Sequence, residues 1–563
     1  MKSKRRRKLG RYDTPRLLSE AVADWAVRSP TDHVLEPSSG SGVLVLSVIH
    51  RLRSLGQSRP RSNVWACDID PTACSQTMQN CRLSANRVWN ADFLSLISQD
   101  GVAKRKFDSV VGNPPYVSLH RMPIRQRKSA FDIAERLNLP IDCKASLWGY
   151  FLAASVFALR EKGRLALILP ESILHAEYGR ELLRTTGSLF SGCIALSIRE
   201  RCFVADGTAE RVVLLLGDDF RGSSSTSEIA LHESATVKEA ANFLSGLTPA
   251  RAALLPRLNG HAVPHLLPSS LCMPFDLADI PCSIPLANCV DIKIGVVTGA
   301  NDFFVLSESE RKHLRLPLFA VTPILSRFEA CPGLAFRWAD WERSRDAGKK
   351  CWLFCPGPES RSKAVSNYLA AFPEQEKAKN CTFGKRSPWY AVQLDREPDA
   401  FLRYMGAYGP RMAFVRCSAT CTNSVHRVYF KKDTTQLERK AIMMSLHSSF
   451  SQLSAEFEGR AYGSGVLKLE PSEARRVHLL LPHKLTDQYI DKCFRRVEKR
   501  LLREGILGAT EEIDEWLYAS IPQLEDVLPL SHLRTWLDAA VKRRLGDSQS
   551  VKLAQQTSVL RAR

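Results

Sequence analysis

In the first 220 residues, short runs of apolar side chains alternate with longer segments that are apolar at helical spacing. Four of the short runs lead into acidic, polar or glycine-rich turns: VLE (34–36), NVWACDID (63–70), RVWNADFL (87–94) and DSVVGNPPYV (108–117). The segment 146–163 is apolar at helical spacing and ends at Gly163, and a continuous apolar strand follows over 163–170. This alternation predicts an α/β domain built on a Rossmann-like, doubly wound parallel sheet.

Acidic residues stand at the ends of three of these strands. Glu36 ends the first strand, Asp68 the second and Asp92 the third. Because ligands of a doubly wound sheet bind at the carboxyl ends of its strands, we expect the three carboxylates at one ligand-binding edge. Asp68 occupies the position at which such sheets bind a ribose, whereas Asp70 precedes Pro71 and is predicted to cap the next helix.

A glycine-rich turn, SSGSG at 38–42, lies between the first strand and the helix after it. Gly40 and Gly42 allow tight backbone geometry and the close approach of a ligand at a helix N-terminus. A phosphate-binding loop needs a Lys-Ser or Lys-Thr pair after the glycines, and this turn has none. With Glu36 beside it, the turn predicts a pocket for a partly cationic ligand. Taken alone, the letters GSG are equally typical of an ordinary turn.

The fourth strand leads into Asn113-Pro114-Pro115-Tyr116, which predicts a site for an exocyclic amine. The prolines fix φ, so that the side-chain oxygen of Asn113 and the carbonyl of Pro114 converge on one NH2 group. Two acceptors bonded to its hydrogens favour the partly positive nitrogen of a transition state. Tyr116 offers a flat face on which a base can stack. A rigid loop after a strand is the alternative for these four residues alone.

The order of these motifs resembles the S-adenosylmethionine-dependent DNA adenine-N6 methyltransferases, in their gamma or TaqI-like arrangement. In that arrangement the cofactor motifs come first, the catalytic motif follows and the target-recognition domain comes last. The resemblance is close over residues 10–217 and looser beyond them. The motifs that carry it are GRYDTP (10–15), LEPSSGSG (35–42), ACDID (66–70), NADFL (90–94) and VVGNPPYV (110–117).

The resemblance implies that S-adenosylmethionine is the cofactor and assigns residues to it. Thr14 and Glu36 would contact its methionine part, and Asp68 its ribose hydroxyls. Asp92 and Phe93 would lie at its adenine ring. Gly40 and Gly42 would belong to the same cofactor site.

The resemblance also implies which residues hold the target base. Asn113 and Pro114 would hold its amine, and Tyr116 would stack on the base after it has been flipped out of the duplex. Phe203, in the segment 199–217, matches the position of an aromatic residue that packs against the other face of the base. A lone Phe before a loop is also typical of a protein core.

The length of 563 residues predicts more than one domain. We expect a catalytic domain at 1–220, a linker and inter-domain segment at 221–289, a mixed α+β target-recognition domain that binds DNA at 290–485, and a helical C-terminal region at 486–563. Short strands in the third of these regions interleave arginines with aromatic residues. This pattern makes Arg386, Arg416 and Arg427 candidates for DNA contact.

The net charge of +20 indicates a polyanionic partner, and double-stranded DNA is the simplest. No apolar window approaches the length of a membrane span, so we expect a cytoplasmic, nucleoid-associated protein without a membrane partner. Two C-x3-C pairs, Cys351 with Cys355 and Cys417 with Cys421, have unusual spacing for zinc, and methyl transfer needs no metal. No metal site is therefore expected.

These observations predict a site-specific, adenine-specific DNA methyltransferase that transfers a methyl group to N6 of a flipped-out adenine. It would act in a restriction-modification or related DNA-modification system, with a separate restriction endonuclease as its partner. Three alternatives stay open. They are methylation of adenine N6 in RNA, methylation of a protein glutamine by a usually much shorter enzyme, and a DNA-binding protein with little turnover.

Overall fold

The computed structural model divides into two compact units, residues 1–270 and 271–563. It describes residues 12–98, 105–117, 124–136, 138–139, 146–175, 177–203, 210–222, 228–258, 276–357, 362–462 and 465–546. Within these ranges, no helix combines the length and the apolar character that crossing a lipid bilayer requires.

The first unit is a sheet with helices on both faces. Its strands are β1 Val34–Glu36, β2 Val64–Asp68, β3 Val88–Asn90, β4 Phe107–Gly112, β5 Leu159–Pro170, β6 Phe190–Ile198, β7 Val212–Phe220 and β8 Ala230–Ser234. Its helices are α1 Arg16–Ala26, α2 Val43–Ser54, α3 Pro71–Cys81, α4 Phe93–Ser98, α5 Ile124–Arg136, α6 Leu147–Ala158, α7 Ser172–His175, α8 Glu177–Gly187, α9 Val237–Ser245 and α10 Pro249–Ala253.

The strand order is β3-β2-β1-β4-β5-β7-β6-β8, which confirms the predicted doubly wound fold. The pairs from β3 to β5 are all parallel, and β7 runs antiparallel to both β5 and β6. From β1 the chain winds outward through β2 and β3 and then returns to β4 on the other side of β1. The carboxyl ends of β1 and β4 therefore meet at the switch point, where sheets of this kind bind their ligands.

Both faces of the sheet are buried, which explains why its strands are continuous apolar runs. Successive residues point to opposite faces. Val110, Leu165 and Leu167 belong to one hydrophobic cluster, whereas Val111 and Ala166 belong to the other.

The first unit extends beyond residue 220, where the sequence predicted its end. β8 pairs in parallel with β6, in the register Ile194↔Ala230, and α9 and α10 follow it. Much of the segment predicted as a linker, 221–289, is therefore ordered structure of the first unit. The sequence pattern missed β8 because the strand is only five residues long and follows a polar, Ser-rich stretch.

The second unit is mixed α+β, as predicted for the region after the catalytic domain. Its strands are β9 Ser283–Pro285, β10 Val290–Ile294, β11 Val305–Ser307, β12 Val321–Leu325, β13 Ala335–Arg337, β14 Lys350–Phe354, β15 Ala400–Arg403, β16 Met405–Gly406, β17 Met412–Arg416, β18 Thr420–Cys421, β19 Val425–Phe430, β20 Arg460–Tyr462, β21 Val466–Lys468 and β22 His478–Leu480. Its helices are α11 Asn301–Phe304, α12 Glu308–His313, α13 Trp338–Asp346, α14 Lys363–Ala370, α15 Glu374–Lys379, α16 Gln436–Ser445, α17 Ser449–Glu458, α18 Pro471–Arg476, α19 Asp487–Ser520, α20 Leu524–Val527 and α21 Leu530–Leu545.

Two larger sheets and two smaller ones make up this unit. The larger sheets have the orders β10-β19-β15-β17-β13 and β11-β14-β12-β18, and the smaller ones β16-β21-β20 and β22-β9. An aromatic-rich core that includes Phe304, Phe336, Trp341 and Phe401 lies between the larger sheets and the helices beside them. The predicted helical C-terminal region begins with α19, which is kinked at Gly505.

We predict that Asp70→Ala destabilises the first unit without weakening the binding of the cofactor. The Asp70 side chain accepts a hydrogen bond from the Thr72 amide at 3.1 Å and caps α3, and losing such a cap costs about 1 kcal/mol. The thermal midpoint of the first unit should fall by about 2–4 °C in a calorimetric scan. Weakened cofactor binding at an unchanged midpoint would instead make Asp70 a ligand residue.

Candidate active site at the carboxyl edge of the sheet

The carboxyl ends of β1, β2 and β4 lie side by side and carry several of the predicted site residues. β1 pairs in parallel with β2 and with β4, so Glu36, Asp68 and the turn after Gly112 stand on neighbouring strands. The approach is close, because a Cβ at Gly112 would lie 3.1 Å from the Pro37 ring. The sheet therefore brings Glu36 and Asn113 to one edge.

Two carboxylates fix the glycine-rich turn in place. The buried side chain of Glu36 accepts a hydrogen bond at 3.1 Å from the amide of Val45, in the first turn of α2. The N-terminal end of a helix favours a negative charge there. Asp68 accepts a hydrogen bond at 2.9 Å from the amide of Gly40. The turn is thus held from both β1 and β2.

Gly42 is required by the geometry of this turn. Its φ is +86°, a conformation that other residues adopt at a cost. A Cβ at this position would also lie 2.9 Å from the Sγ of Cys81. Both the backbone conformation and the packing of the turn against α3 therefore require glycine here.

Asp68 and Asp70 differ in role. Asp70 caps α3 with Pro71 at the first helical position, which confirms the predicted helix cap. Asp68 is half-buried at the end of β2 and also accepts a hydrogen bond at 2.9 Å from the Asp70 amide. Its contact with a ribose stays a prediction.

Asp92 and Phe93 lie at the start of α4 rather than at a strand end. β3 ends at Asn90, so the predicted strand was two residues too long. Asp92 accepts hydrogen bonds from the amide and the hydroxyl of Ser95, at 3.2 and 2.6 Å. Phe93 is buried and packs against Phe151, with ring centroids 5.4 Å apart. The contact of both residues with an adenine ring stays a prediction.

The Asn113 amide is oriented by the segment that precedes α1. Its Nδ2 donates to the backbone carbonyl of Tyr12 at 3.2 Å and to the Oγ1 of Thr14 at 3.3 Å. The backbone carbonyl of Asn113 accepts a hydrogen bond from the Ser38 hydroxyl at 3.0 Å. The side-chain oxygen Oδ1 is buried and has no hydrogen-bond partner among the described residues. Both amide donors are thus used inside the protein, whereas the acceptor is not.

Three aromatic rings pack beside this turn. Tyr116 lies 5.7 Å from Tyr12 between ring centroids, and Tyr12 stacks on Phe203 at 5.6 Å. Tyr116 and Phe203 meet edge to face at 6.5 Å, so no parallel slot for a base separates them in this structure. Phe203 is fully buried. Its predicted stacking on a base stays a prediction, and Tyr12 covers it here.

The Tyr116 hydroxyl is bound inside the unit. It donates to the carbonyl of Ile168 at 3.2 Å. Burial raises the pKa of the Tyr116 phenol well above its ordinary value, and the nearby Glu210 carboxylate acts in the same direction. The phenol therefore stays neutral, and what it can offer a ligand is its ring.

Two of the three arginines named as candidates for DNA contact form hydrogen bonds within the second unit. Arg427 donates to the carbonyl of Ile294 at 3.0 and 3.2 Å and pairs with Asp395 at 3.3 Å. Arg386 donates to two backbone carbonyls in the loop after β10. At these two positions, the alternation of arginine and aromatic residues accompanies contacts within a β-rich unit, and DNA contact stays a prediction. Arg416 is exposed and stays a candidate.

The C-x3-C pairs do not form a metal site within the part of the chain that the structure describes. No group of three or more His, Cys, Asp or Glu side chains there could hold a metal ion. Burial raises the pKa of the Cys351 thiol to about 12 and that of Cys417 to about 11. Burial therefore favours the thiol over the thiolate that zinc requires.

Tyr12 and Ser38 are site residues that the sequence did not single out. Both lie inside recognised motifs, but they contact Asn113 across 101 and 75 positions of the chain. A single sequence carries no signal for pairs so far apart.

Comparison with known proteins identifies two family models along the chain. "Eco57I restriction-modification methylase" matches residues 49–194, and "Type II methyltransferase M.Eco57I, C-terminal domain" matches residues 273–518. The type II methyltransferase M.AccI of Acinetobacter calcoaceticus is 22% identical over 488 residues, which cover 84% of this chain and 86% of that protein. The type II methyltransferase M.XamI of Xanthomonas campestris pv. amaranthicola is 24% identical over 513 residues, which cover 84% of this chain and 85% of that protein.

A solved structure shares the fold over most of the chain. The type IIL restriction-modification enzyme MmeI, in complex with DNA, superposes with a TM-score of 0.51 at 11% identity. The alignment covers 91% of this chain and 73% of that one.

The fold and the edge of the sheet, together with these matches, identify an S-adenosylmethionine-dependent methyltransferase. The family matches and the similarity to M.AccI and M.XamI confirm the coarser part of the predicted resemblance. The protein is a site-specific DNA methyltransferase of the restriction-modification type.

The residues at the edge of the sheet fit S-adenosylmethionine. The cofactor carries a sulfonium and an ammonium group, and the carboxylates of Glu36 and Asp68 flank the turn on which it would lie.

We predict that Asp68→Ala weakens cofactor binding. The change removes the acceptor of the Gly40 amide and the predicted acceptor of the ribose hydroxyls. Hydrogen bonds to a charged group contribute about 1.5–3 kcal/mol, so the Kd for S-adenosylmethionine should rise by about 10- to 100-fold in calorimetric titration. Asp70→Ala, two residues away, is the matched control and should leave Kd within about twofold. Equal effects of the two changes would refute the assignment of Asp68.

Proposed function

We propose that the protein transfers a methyl group from S-adenosylmethionine to the N6 amine of an adenine flipped out of duplex DNA. The observation that carries this proposal is the Asn113 Oδ1 atom, a buried acceptor without a described partner on a proline-stiffened turn. An unsatisfied buried acceptor costs about 1–3 kcal/mol, and an incoming NH2 group would remove that cost.

The chemistry needs an acceptor rather than a strong base. S-adenosylmethionine supplies, when bound, an electrophilic methyl group on a positively charged sulfur. The lone pair of an aromatic amine is delocalised into its ring, so the amine is a poor nucleophile. Asn113 Oδ1, with the Pro114 carbonyl as the predicted second acceptor, favours the tetrahedral, partly positive nitrogen. The neutral amine can attack without prior deprotonation, and its proton can leave afterwards to water.

The ring of Tyr116 is the proposed stacking platform for the base. Flipping a base out of a duplex costs a few kcal/mol in lost stacking and pairing. Stacking on an aromatic side chain contributes about 1–3 kcal/mol per base, so one platform nearly offsets the flip. The bound, neutral hydroxyl of Tyr116 keeps the ring fixed on the side of the turn.

The second unit favours DNA over the alternative substrates. The relatives M.AccI and M.XamI each cover 84% of this chain, and a family model matches residues 273–518 of the second unit, whereas methylation of a protein glutamine usually uses a much shorter enzyme. The net charge of +20 suits both DNA and RNA, so the charge alone does not separate them. We further propose that the enzyme acts on DNA in the nucleoid and protects it from a separate restriction endonuclease.

The identity of the methylated base is the direct test. Purified protein would be incubated with isotope-labelled S-adenosylmethionine and duplex DNA, structured RNA or a release-factor peptide, followed by mass spectrometry of the products. We expect labelled N6-methyladenine from duplex DNA. Label on cytosine would overturn the choice of base, and label confined to RNA or peptide would overturn the substrate.

We predict that Asn113→Ala abolishes most turnover in the same assay. Removing a group that stabilises a transition state costs about 100- to 1000-fold in kcat. The cofactor Kd should change by less than about threefold, since the amide contacts the segment before α1 and not the glycine-rich turn. The matched control is Asn86→Ala, at an exposed asparagine, which should keep wild-type kcat. Retained turnover in Asn113→Ala would exclude the proposed role.

A further inference from the structure

We infer that Thr14 is a positioning residue which, with the carbonyl of Tyr12, fixes the Asn113 amide so that its oxygen faces the target amine. The inference rests on the proposed function, because it explains how the acceptor of that same site is set. It differs from the cofactor contact that the sequence resemblance assigns to Thr14.

An asparagine that binds an amine must present the oxygen of its amide rather than the nitrogen. The two ends of an amide have nearly the same shape, but only the oxygen accepts a hydrogen bond from an NH2 group. An amide turned by 180° would present its two N–H donors to the N–H donors of the target amine. The prolines that follow Asn113 restrict the backbone and do not select between these two orientations.

The contacts of Asn113 select one orientation. Both amide hydrogens have acceptors in the segment before α1, namely the Tyr12 carbonyl at 3.2 Å and the Thr14 Oγ1 at 3.3 Å. Turning the amide would place Oδ1 against these two oxygens and leave both N–H groups facing the target amine. The orientation with Oδ1 turned away from these two acceptors is therefore preferred before a base arrives.

Thr14 is itself held in place, and its side chain forms no other hydrogen bond with a residue that the structure describes. It precedes Pro15, and a residue before proline is restricted to extended conformations. The N-terminus of α1 has Pro15 at its cap and no side-chain capping bond, so the Thr14 hydroxyl does not cap that helix. Thr14 is also buried, which keeps water from competing for the amide donor.

Two substitutions at Thr14 separate positioning from cofactor binding. Thr14→Val keeps the shape of the side chain and removes its oxygen, whereas Thr14→Ser keeps the hydroxyl and loses a methyl group. We expect Thr14→Val to lower kcat on duplex DNA by about 10- to 100-fold while the cofactor Kd changes by less than about threefold. Thr14→Ser should restore kcat to within about threefold of the wild type.

Each other outcome overturns the inference. A raised cofactor Kd at unchanged kcat would assign Thr14 to the cofactor, and equal losses in the Val and Ser variants would assign it to packing. If Thr14→Val does not fold, Thr14→Ala removes the same oxygen and takes its place. If the wild-type protein forms a product other than N6-methyladenine, the proposed function is overturned instead. That product is identified with the wild-type protein alone, without any Thr14 variant.

The outer face of α19 carries four exposed cations. Lys492, Arg495, Lys499 and Arg503 recur every three or four residues, so they lie on one face of the helix, and all four are exposed. The opposite face packs into the second unit through Ile490, Cys493, Val497 and Leu501. We call the four cations the α19 stripe.

The stripe differs from the other cations of the same helix. Arg496 pairs with Glu512, and Arg500 pairs with Glu504 and Glu511. Among the residues that the structure describes, no ion pair or side-chain hydrogen bond involves a member of the stripe. Four like charges with no acidic partner repel one another, which is unfavourable unless a polyanion lies against them.

The geometry points to the α19 stripe as a surface that binds the phosphate backbone of duplex DNA. It spans 12 residues, and the 11 steps between its ends rise about 17 Å along the helix, which matches about five base pairs of duplex. Lysine and arginine on an outer helix face carry no base-reading geometry, so the contact would be independent of sequence. With Arg386 and Arg427 engaged in the fold, the stripe supplies cations that those positions do not.

Salt dependence of DNA binding tests the stripe. In Lys492→Gln/Arg495→Gln/Lys499→Gln/Arg503→Gln, the slope of log K against log salt should become less steep by about three to four, since each phosphate contact contributes about 0.9. The charge-matched control replaces four exposed lysines elsewhere in the second unit, Lys349, Lys363, Lys379 and Lys432. Its slope should change by less than about one. Equal changes in both variants, or no change in the first, would overturn the assignment, and neither result depends on which base is methylated.

Discussion

The hydrogen bonds of the Asn113 amide are the interaction on which the site depends. A doubly wound sheet can bring an asparagine to its carboxyl edge in many sequences, but an amide that turned freely would offer an amine a donor as often as an acceptor. Here the segment before α1 uses both amide hydrogens, and the oxygen is left buried without a described partner. In the proposed mechanism, this unpaired acceptor bonds the amine of the target base and so acts as a preorganised group that stabilises the transition state.

That arrangement follows from the topology of the sheet. The turn after β4 faces the turn after β1 because the strand order reverses between them. Glu36, Gly42 and Asp68 shape the glycine-rich turn on one side of this junction, and Asn113 stands on the other. The turn proposed for the methyl donor and the asparagine proposed for the target amine therefore lie at one edge of the sheet, on different strands.

The sequence predicted the parts of this account that depend on local patterns. Continuous apolar runs gave the parallel strands, Asp70 before Pro71 gave the start of α3, and the motif order gave the edge of the sheet. It did not predict β8, a short strand after a polar stretch, or the place of Asp92 at the start of a helix. Arg386 and Arg427 show the same limit, because whether an arginine binds a carbonyl of its own chain or a phosphate depends on partners far away in sequence. The Tyr12 and Thr14 contacts with Asn113 belong to this class as well.

The most direct measurement is a crystal structure of the protein with an unreactive cofactor analogue and duplex DNA that contains its target site. We expect an extruded adenine with its N6 within about 3.2 Å of Asn113 Oδ1, while Nδ2 keeps its bonds to Tyr12 and Thr14. An adenine that stays stacked in the duplex, or an amine that faces the Nδ2 atom, would contradict the proposed role of Asn113.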